Sequence, residues 1–258
     1  MPRLGEEQIR AAADLLIALR ENRLALAGLP AELTPENTVD VQRIIDAVSE
    51  RIDRPVRGWK SYTVYKPMHP PIHAPIYDVF PSGAELPAGV SPQRLIEPEI
   101  MFRVEQDLLH RDRSYHVTEV MDAVTAVVGF EVIGSRYRPD ADRGAGSLLG
   151  SLSDHLANGC IVVGDAIPHW RDVAFEDVRL RMTEDGRELI TITGCHPFDN
   201  PVLPVIVGVN RLRRHHGVKA GDIIITSSST SFFPVRAGSL VRASYEGLGE
   251  VTATFEDG

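Results

Sequence analysis

The stretch Leu95-Ile96-Glu97-Pro98-Glu99-Ile100-Met101-Phe102 places two glutamates one residue apart inside an otherwise apolar segment. In a β-strand, residues i and i+2 project from the same face, so Glu97 and Glu99 would share one side. Two carboxylates among apolar neighbours repel each other and are costly to remove from water. The pattern therefore predicts a strand whose acidic pair faces a positive charge. The alternative is an edge strand with both acids in solvent.

A third glutamate favours the first interpretation. Glu131 interrupts the run Ala126-Val127-Val128-Gly129-Phe130-Glu131-Val132-Ile133, which otherwise has no reason to carry a charge. Three carboxylates without a nearby cysteine or histidine suit a hard divalent cation such as Mg²⁺ or Mn²⁺. We therefore expect Glu97, Glu99 and Glu131 to converge on a metal ion.

Composition narrows the class of protein. The 258 residues are 43% hydrophobic and 24% charged, which is typical of a globular chain with one large core or two modest ones. The net charge of −9 argues against nucleic acid or an anionic membrane as the main partner. No apolar run approaches the roughly 20 residues of a membrane span. Two cysteines without metal or disulfide spacing, and no secretory leader, predict a cytoplasmic protein.

Lys60 is unusual in this chain because only three residues are lysine and the other basic residues are arginine. It follows Gly58-Trp59 in an apolar setting. A lysine can lose its proton when it is desolvated, whereas an arginine effectively cannot. This predicts a chemical role for Lys60, with a strand-edge lysine paired to an acid as the alternative.

The N-terminal part of the sequence is predicted to be helical. Helices are expected from Glu7 to about Leu26 and from an N-cap at Thr34 through the apolar stripe that ends at Ile52. The proline-rich segment 66–75 is predicted to be an irregular lid or pocket wall. A further helix is expected from Asn200 to His216.

The remainder of the chain is predicted to be rich in β-structure. Short strands are expected near 95–104, 124–134, 160–164, 177–184, 188–193 and 223–226, and a final hairpin over 239–255.

These motifs occur in an order that resembles the fumarylacetoacetate hydrolase superfamily. The order is Gly58-Trp59-Lys60, Ile96-Glu97-Pro98-Glu99-Ile100, Gly129-Phe130-Glu131-Val132-Ile133, Ser153-Asp154-His155-Leu156-Ala157-Asn158-Gly159 and Ala220-Gly221-Asp222-Ile223-Ile224-Ile225-Thr226. Within the superfamily, the chain is most similar to the branch of 2-oxopent-4-enoate hydratases and 4-oxalocrotonate decarboxylases. The resemblance covers nearly the whole chain.

The resemblance implies an α+β fold, a mixed β-sandwich roll with a small helical N-terminal region. It implies residues 1–80 as that region, including the lysine strand and the proline-rich loop, and 81–258 as the β-rich catalytic domain. By resemblance, Glu97, Glu99 and Glu131 bind the metal, and Lys60 and Asp78 are catalytic. The residues implied to bind substrate are Tyr62, Asp154, Thr226, Ser228 and Thr230.

Several positions depart from the branch. Tyr62 stands where glycine is usual, His155 replaces an asparagine, and Ser227 and Ser231 replace two glycines of the anion-holding loop. Glycine allows a close backbone approach to a ligand, so the loop geometry would differ. The histidine and glutamate pair typical of the superfamily's hydrolases has no counterpart. His69 and His73 are expected to be exposed loop residues, with substrate contact as the alternative.

The implied activity is hydration of a 2-hydroxy-2,4-dienoate to a 4-hydroxy-2-oxo acid, in the catabolism of aromatic-type compounds. Hydration, decarboxylation and carbon–carbon hydrolysis all pass through an enolate, so a metal site alone leaves the reaction open. Decarboxylation of a 2-oxo-3-enedioate is one alternative, with Arg136 and Arg138 available for the second carboxylate. A metal-binding but silent partner subunit is another. The implied partners are a small 2-oxo acid, further copies of the chain and a neighbouring pathway enzyme.

Overall fold

Two helices at the N-terminus pack against each other through their apolar faces. The structure, a computed structural model, describes residues 3–62, 71–138, 148–197 and 200–257. Helix α1 spans Glu6–Asn22 and α2 spans Thr38–Ser49. The cap of α2 is Asn37, whose side chain accepts a hydrogen bond from the Asp40 amide, so the predicted start at Thr34 is wrong. None of the helices in these ranges is long and apolar enough to cross a membrane.

Eight strands form the larger sheet. They are β1 (Gly58–Tyr62), β2 (Ile72–Ile76), β3 (Val79–Pro81), β5 (Leu95–Val104), β6 (Val124–Ile133), β7 (Asn158–Ala166), β10 (Ile223–Ile225) and β11 (Phe233–Pro234). Their order is β2-β1-β10-β5-β6-β7-β3, and β11 pairs with β5. The central strands β5 and β6 are antiparallel over ten residue pairs and are almost wholly buried.

The smaller sheet has five strands. The strands are β4 (Ala84–Leu86), β8 (Arg179–Glu184), β9 (Arg187–Thr193), β12 (Val241–Tyr245) and β13 (Gly249–Phe255), in the order β4-β13-β12-β8-β9. The remaining helices are α3 (Val117–Asp122), α4 (Leu148–Leu152) and α5 (Val202–Leu212). Even-numbered residues of β5 and β6, such as Phe102 and Phe130, belong to the same apolar core as Tyr245 and Phe255 of the smaller sheet.

The larger sheet curls into a roll. Strands β2 and β3 lie at opposite ends of its order, yet only Tyr77 and Asp78 separate them in sequence. The two edges must therefore approach each other. The side chains that fill the interior form one apolar cluster of Ile76, Met101, Val127, Ile161, Ile223 and Ile225, with Val79 and Val163 packed against it. The odd-numbered residues of β5 face this interior, and they include Glu97 and Glu99.

The predicted strands are confirmed, with shifts of a few residues at their ends, and the fold is the predicted α+β roll. One prediction fails in part: residues 72–75, expected to be irregular, belong to strand β2. Pro75 fits there because β2 ends the sheet order, and an edge strand tolerates a residue without an amide hydrogen. His69 lies outside the described residues. The sheet also joins strands from both sides of residue 80, and the two-part division stays a prediction.

Candidate metal centre

The strand register brings the three glutamates together. Glu97 lies directly opposite Glu131 in the β5–β6 pair, and Glu99 lies opposite Gly129. One carboxylate oxygen from each glutamate falls within 4.8 Å of the other two. Glu99 and Glu131 are buried, whereas Glu97 is partly accessible at the edge of the cluster. Among the described residues, this is the one group of acidic, histidine or cysteine side chains with the spacing of a metal site.

Burial and mutual repulsion raise the pKa values of two glutamates in this cluster. Burial, reinforced by Glu131, raises the pKa of Glu97 to about 8. The pKa of Glu99 is also raised, first by burial and then by the other two carboxylates. The Oε2 atoms of Glu99 and Glu131 are buried without a hydrogen-bond partner in the described structure. Such oxygens fit a hard divalent cation, which would pair with them.

Lys60 is the positive charge beside this cluster. Its Nζ lies 2.5 Å from Glu131 Oε1, and its side chain is only 13% exposed. Burial lowers the pKa of Lys60, but attraction to Glu131, Glu97 and Glu99 outweighs burial and leaves the pKa raised. Three carboxylates and one ammonium leave two negative charges, which one divalent cation would neutralise.

Two further groups contact the cluster and were not predicted. The Asn158 side chain donates a hydrogen bond to Glu131 Oε1 at 3.1 Å, and the Leu156 carbonyl accepts one from Lys60 Nζ at 3.2 Å. Asn158 is buried at the start of β7. A polar amide that opens an apolar strand was the available signal for Asn158, because a buried amide needs a partner. The sequence gives no comparable signal for the Leu156 carbonyl, because every residue has a backbone carbonyl.

The serine-rich loop after β10 lies against the acidic strand. Ser228 Oγ donates to the carbonyl of Pro98, the residue between the two glutamates, at 2.8 Å. Ser228 Oγ also lies 3.1 Å from Thr230 Oγ1, and Thr226 is buried with its hydroxyl 3.3 Å from His196 Nε2. The loop is therefore placed beside the carboxylates, and its role toward substrate stays a prediction.

The other predicted site residues have partners outside the carboxylate cluster or lie partly outside the described structure. The Asp154 carboxylate is fully buried and bonded to Arg20 and Arg136. Asp78 pairs with Arg54 at 2.5 Å. The backbone of Tyr62 belongs to β1, and its side chain lies outside the described part of the structure.

His155 and His73 are both buried away from solvent. His155 Nε2 lies 3.2 Å from Ser49 Oγ, and burial holds the pKa of His155 well below its usual range. His73 is buried in β2, so the expectation of an exposed loop residue is wrong. In register it lies opposite Ser61, whereas Lys60 lies opposite Ala74, so His73 faces the other side of the sheet from Lys60.

Comparison with known proteins agrees with the motif order. No protein-family model matches the chain. The 2-keto-4-pentenoate hydratase of Burkholderia vietnamiensis is 25% identical over 177 residues, which are 68% of this chain and 65% of the hydratase. The 4-oxalocrotonate decarboxylase of Pseudomonas putida is 26% identical over an alignment of 192 residues that covers 71% of this chain and 70% of that enzyme. The matched part thus spans somewhat less than two thirds of the hydratase.

A solved structure extends the likeness to the whole fold. The 4-oxalocrotonate decarboxylase from Pseudomonas putida G7, complexed with magnesium and adipate, superposes with a TM-score of 0.80. It is 21% identical and covers 99% of this chain and 100% of its own. The solved structures that share this fold include members of the fumarylacetoacetate hydrolase superfamily, which the motif order resembles. The relatives in sequence are a hydratase and a decarboxylase, the two activities of the branch that the motif order predicted.

Proposed function

We propose that this protein is a member of the fumarylacetoacetate hydrolase superfamily and acts as a divalent-metal-dependent hydratase. It adds water to a 2-hydroxy-2,4-dienoate, equivalent to a 2-oxo-4-enoate, and yields a 4-hydroxy-2-oxo acid. The observation that carries the proposal is the buried cluster of Glu97, Glu99 and Glu131 with Lys60 in direct contact. The relationship to a 2-keto-4-pentenoate hydratase supports this substrate class.

The three glutamates would hold Mg²⁺ or Mn²⁺. When bound, such an ion supplies Lewis-acid polarisation of a 2-oxo acid. The chain's own contribution is to keep the three carboxylates close and largely out of water, where electrostatic interactions are strong.

Lys60 and Asp78 are proposed to move the protons. Lys60 carries a proton on Nζ, because the carboxylates raise its pKa, and it gives that proton to a carbon of the dienoate. Asp78 takes the proton that water loses when its oxygen bonds to C4. The proton of the 2-hydroxyl passes to C5 as the dienol becomes its 2-oxo-3-enoate tautomer. Lys60 then gives its proton to C3 and Asp78 takes one from water, so a single water is added overall.

The position of Asp78 is compatible with its proposed role in taking a proton from water. It precedes Val79, which pairs with Ile161, and Ile161 in turn pairs with Glu131. Asp78 therefore lies about two strand spacings from Glu131, roughly 10 Å, a separation that a small substrate would have to bridge. The ion pair with Arg54 would have to open or shift for Asp78 to act.

The substrate carboxylate is assigned to the loop after β10. Thr226, Ser228 and Thr230 offer hydroxyl groups close to the acidic strand. Tyr62 is also proposed to contact substrate. Asp154 was predicted to do so from the resemblance, but its carboxylate is bonded to two arginines.

A metal-binding experiment tests the proposal. Glu97→Gln removes one ligand at the partly accessible edge of the cluster. The parent protein is expected to melt at higher temperature with Mg²⁺ than with EDTA, and the variant to lose that difference together with turnover. Glu105→Gln alters an exposed glutamate next to β5 and serves as the matched control. If the Mg²⁺-dependent shift survives in Glu97→Gln, the metal is bound elsewhere.

Decarboxylation of a 2-oxo-3-enedioate is the second candidate, because a decarboxylase has the fold with a TM-score of 0.80. It needs a cation for the second carboxylate. Arg136 is already paired with Asp154, and Arg138 is exposed. Neither arginine therefore provides an unpaired positive charge in the site. Comparing turnover of mono- and dicarboxylate substrates separates the two reactions. Turnover by the isolated chain would exclude a silent partner subunit.

The protein is further proposed to be cytoplasmic and self-associating. The free thiols of Cys160 and Cys195 suit a reducing compartment. Leu203 and Val207 lie one turn apart on α5 and are 50% and 42% exposed, an apolar pair that contact with another copy, or with a neighbouring pathway enzyme, would cover.

A further inference from the structure

We propose that Asp154 is a positioning residue, which orients Lys60 and Glu131 through a left-handed turn of the backbone instead of binding substrate. The inference rests on the proposed function of Lys60 and Glu131. It concerns the segment His155–Ala157, which connects Asp154 to β7.

The Asp154 carboxylate has its hydrogen-bonding capacity taken up by the protein. Its side chain is 0% exposed. Its oxygens accept from the Arg136 amide at 2.7 Å, from Arg136 Nε at 2.7 and 2.9 Å, and from the Arg20 guanidinium at 3.3 Å. Arg20 belongs to α1, and Arg136 follows β6. The carboxylate thereby ties the helical region to the strand that carries Glu131.

The three residues after Asp154 adopt a conformation that L-amino acids rarely take. The φ angles of His155, Leu156 and Ala157 are 47°, 55° and 58°, and none of the three is glycine. Consecutive left-handed residues are costly and persist only where the surroundings impose them. The Ala157 amide bonds back to the Asp154 carbonyl at 2.8 Å, and the Ala157 carbonyl accepts from the Gly134 amide at 2.8 Å.

The turn delivers two groups to the cluster. Its middle residue, Leu156, presents the carbonyl that accepts from Lys60 Nζ at 3.2 Å. Immediately after the turn, Asn158 Nδ2 donates to Glu131 Oε1 at 3.1 Å, the same oxygen that lies 2.5 Å from Lys60 Nζ. The turn therefore contacts both members of the Lys60–Glu131 pair. If the Asp154 anchor is lost, the turn can relax and both contacts can lengthen.

The test compares two buried aspartates that differ in what they anchor. Asp154→Asn removes the charge of the anchor. Asp40→Asn is the matched control, since Asp40 is also 0% exposed and paired with an arginine, Arg43, but lies on α2 without contact to Lys60. Turnover is measured with a 2-oxo-4-enoate and Mg²⁺. We expect Asp154→Asn to lower kcat by about tenfold to a hundredfold, the cost of a small misplacement, with KM little changed. Asp40→Asn should lower thermal stability alone.

A second readout does not need turnover. The chain has only three lysines, so protein labelled with ¹³C at lysine Cε gives three signals, and Lys60→Met assigns that of Lys60. We expect Asp154→Asn to move the Lys60 signal of the Mg²⁺-loaded protein and to leave that of the exposed Lys219 in place. Asp40→Asn should move neither of these two signals.

The outcomes separate this inference from the proposed function. If the parent turns over no 2-oxo acid, the proposed function fails and the lysine signal still decides the positioning role. An unmoved Lys60 signal, or a rise in KM alone, would overturn the inference, since a rise in KM alone indicates direct substrate contact. If Asp154→Asn does not fold, Arg20→Gln provides a second test, because it removes one partly exposed partner of Asp154. The inference then requires a smaller shift of the same Lys60 signal.

Discussion

At the scale of single residues, the account depends on how four charged groups share a small apolar volume. One carboxylate oxygen from each of Glu97, Glu99 and Glu131 lies within 4.8 Å of the other two, and Lys60 balances only one of the three charges. Without a cation, the cluster lowers its energy by holding protons, which is why the pKa of Glu97 rises to about 8. A divalent cation would replace those protons.

The titration of Glu97 predicts how stability depends on pH. The unfolded chain releases this proton near its ordinary pKa of 4.5, whereas the folded protein holds it to about pH 8. Between these values the folded state binds more protons, so the free energy of unfolding falls as pH rises, by up to about 1.4 kcal/mol per pH unit for one group. Urea unfolding from pH 4 to pH 9 in EDTA checks this. Saturating Mg²⁺ should flatten the dependence above neutral pH, and so should Glu97→Gln. An EDTA profile in which stability increases over this interval would contradict the account.

Replacing Lys60 separates chemistry from metal binding. Lys60→Met removes the proton carrier, and we expect turnover to fall by about 10²-fold to 10⁴-fold, the usual range for a lost general acid. Mg²⁺ affinity, measured by calorimetry, should be retained because the three carboxylates remain. Lys219→Met, at an exposed position, is the control. Normal turnover in Lys60→Met would show that Lys60 has no role in the mechanism.

At the scale of elements, the β5–β6 pair sets the distance between the carboxylates. Gly129 lies opposite Glu99, and a Cβ there would approach Met101 Sδ to 2.5 Å and the Val162 carbonyl to 2.7 Å. Because one of these atoms is backbone, the strands would have to move apart. The absence of a side chain at this position thus lets three strands pack closely next to the site.

Gly129→Ala is expected to cost about 1–3 kcal/mol, as overpacking of a tight core does. It should also weaken the Mg²⁺-dependent rise in melting temperature, since Glu99 is displaced. Gly5→Ala is the control, because its added methyl would meet only Gln8 Oε1, at 3.6 Å. Both quantities follow from thermal melts with and without Mg²⁺. Unchanged stability in Gly129→Ala would show that the strand spacing is not under this constraint.

At the scale of the whole molecule, the sequence predicted those features that have a local signal in the periodicity or charge of the residues. Strands β5 and β6 are long apolar runs, and glutamates stand out within them, so the convergence of acids could be predicted from the residues alone. The closure of the roll could not, because the pairing of Val79 with Ile161 joins distant segments without a local signal. Proline suggested a loop at residue 75, but the edge position of β2 overrides that local preference. The left-handed turn at His155–Ala157 could not be predicted from the sequence, because it contains no glycine.

Product analysis tests the central claim most directly. The purified chain is incubated with a 2-hydroxy-2,4-dienoate and Mg²⁺, and the products are identified by mass spectrometry. The account predicts a 4-hydroxy-2-oxo acid, heavier than the substrate by one water, which disappears with EDTA and with Glu131→Gln. Its failure to form with Mg²⁺ and a folded protein, or its undiminished formation in EDTA, would contradict the assignment of a metal-dependent hydratase.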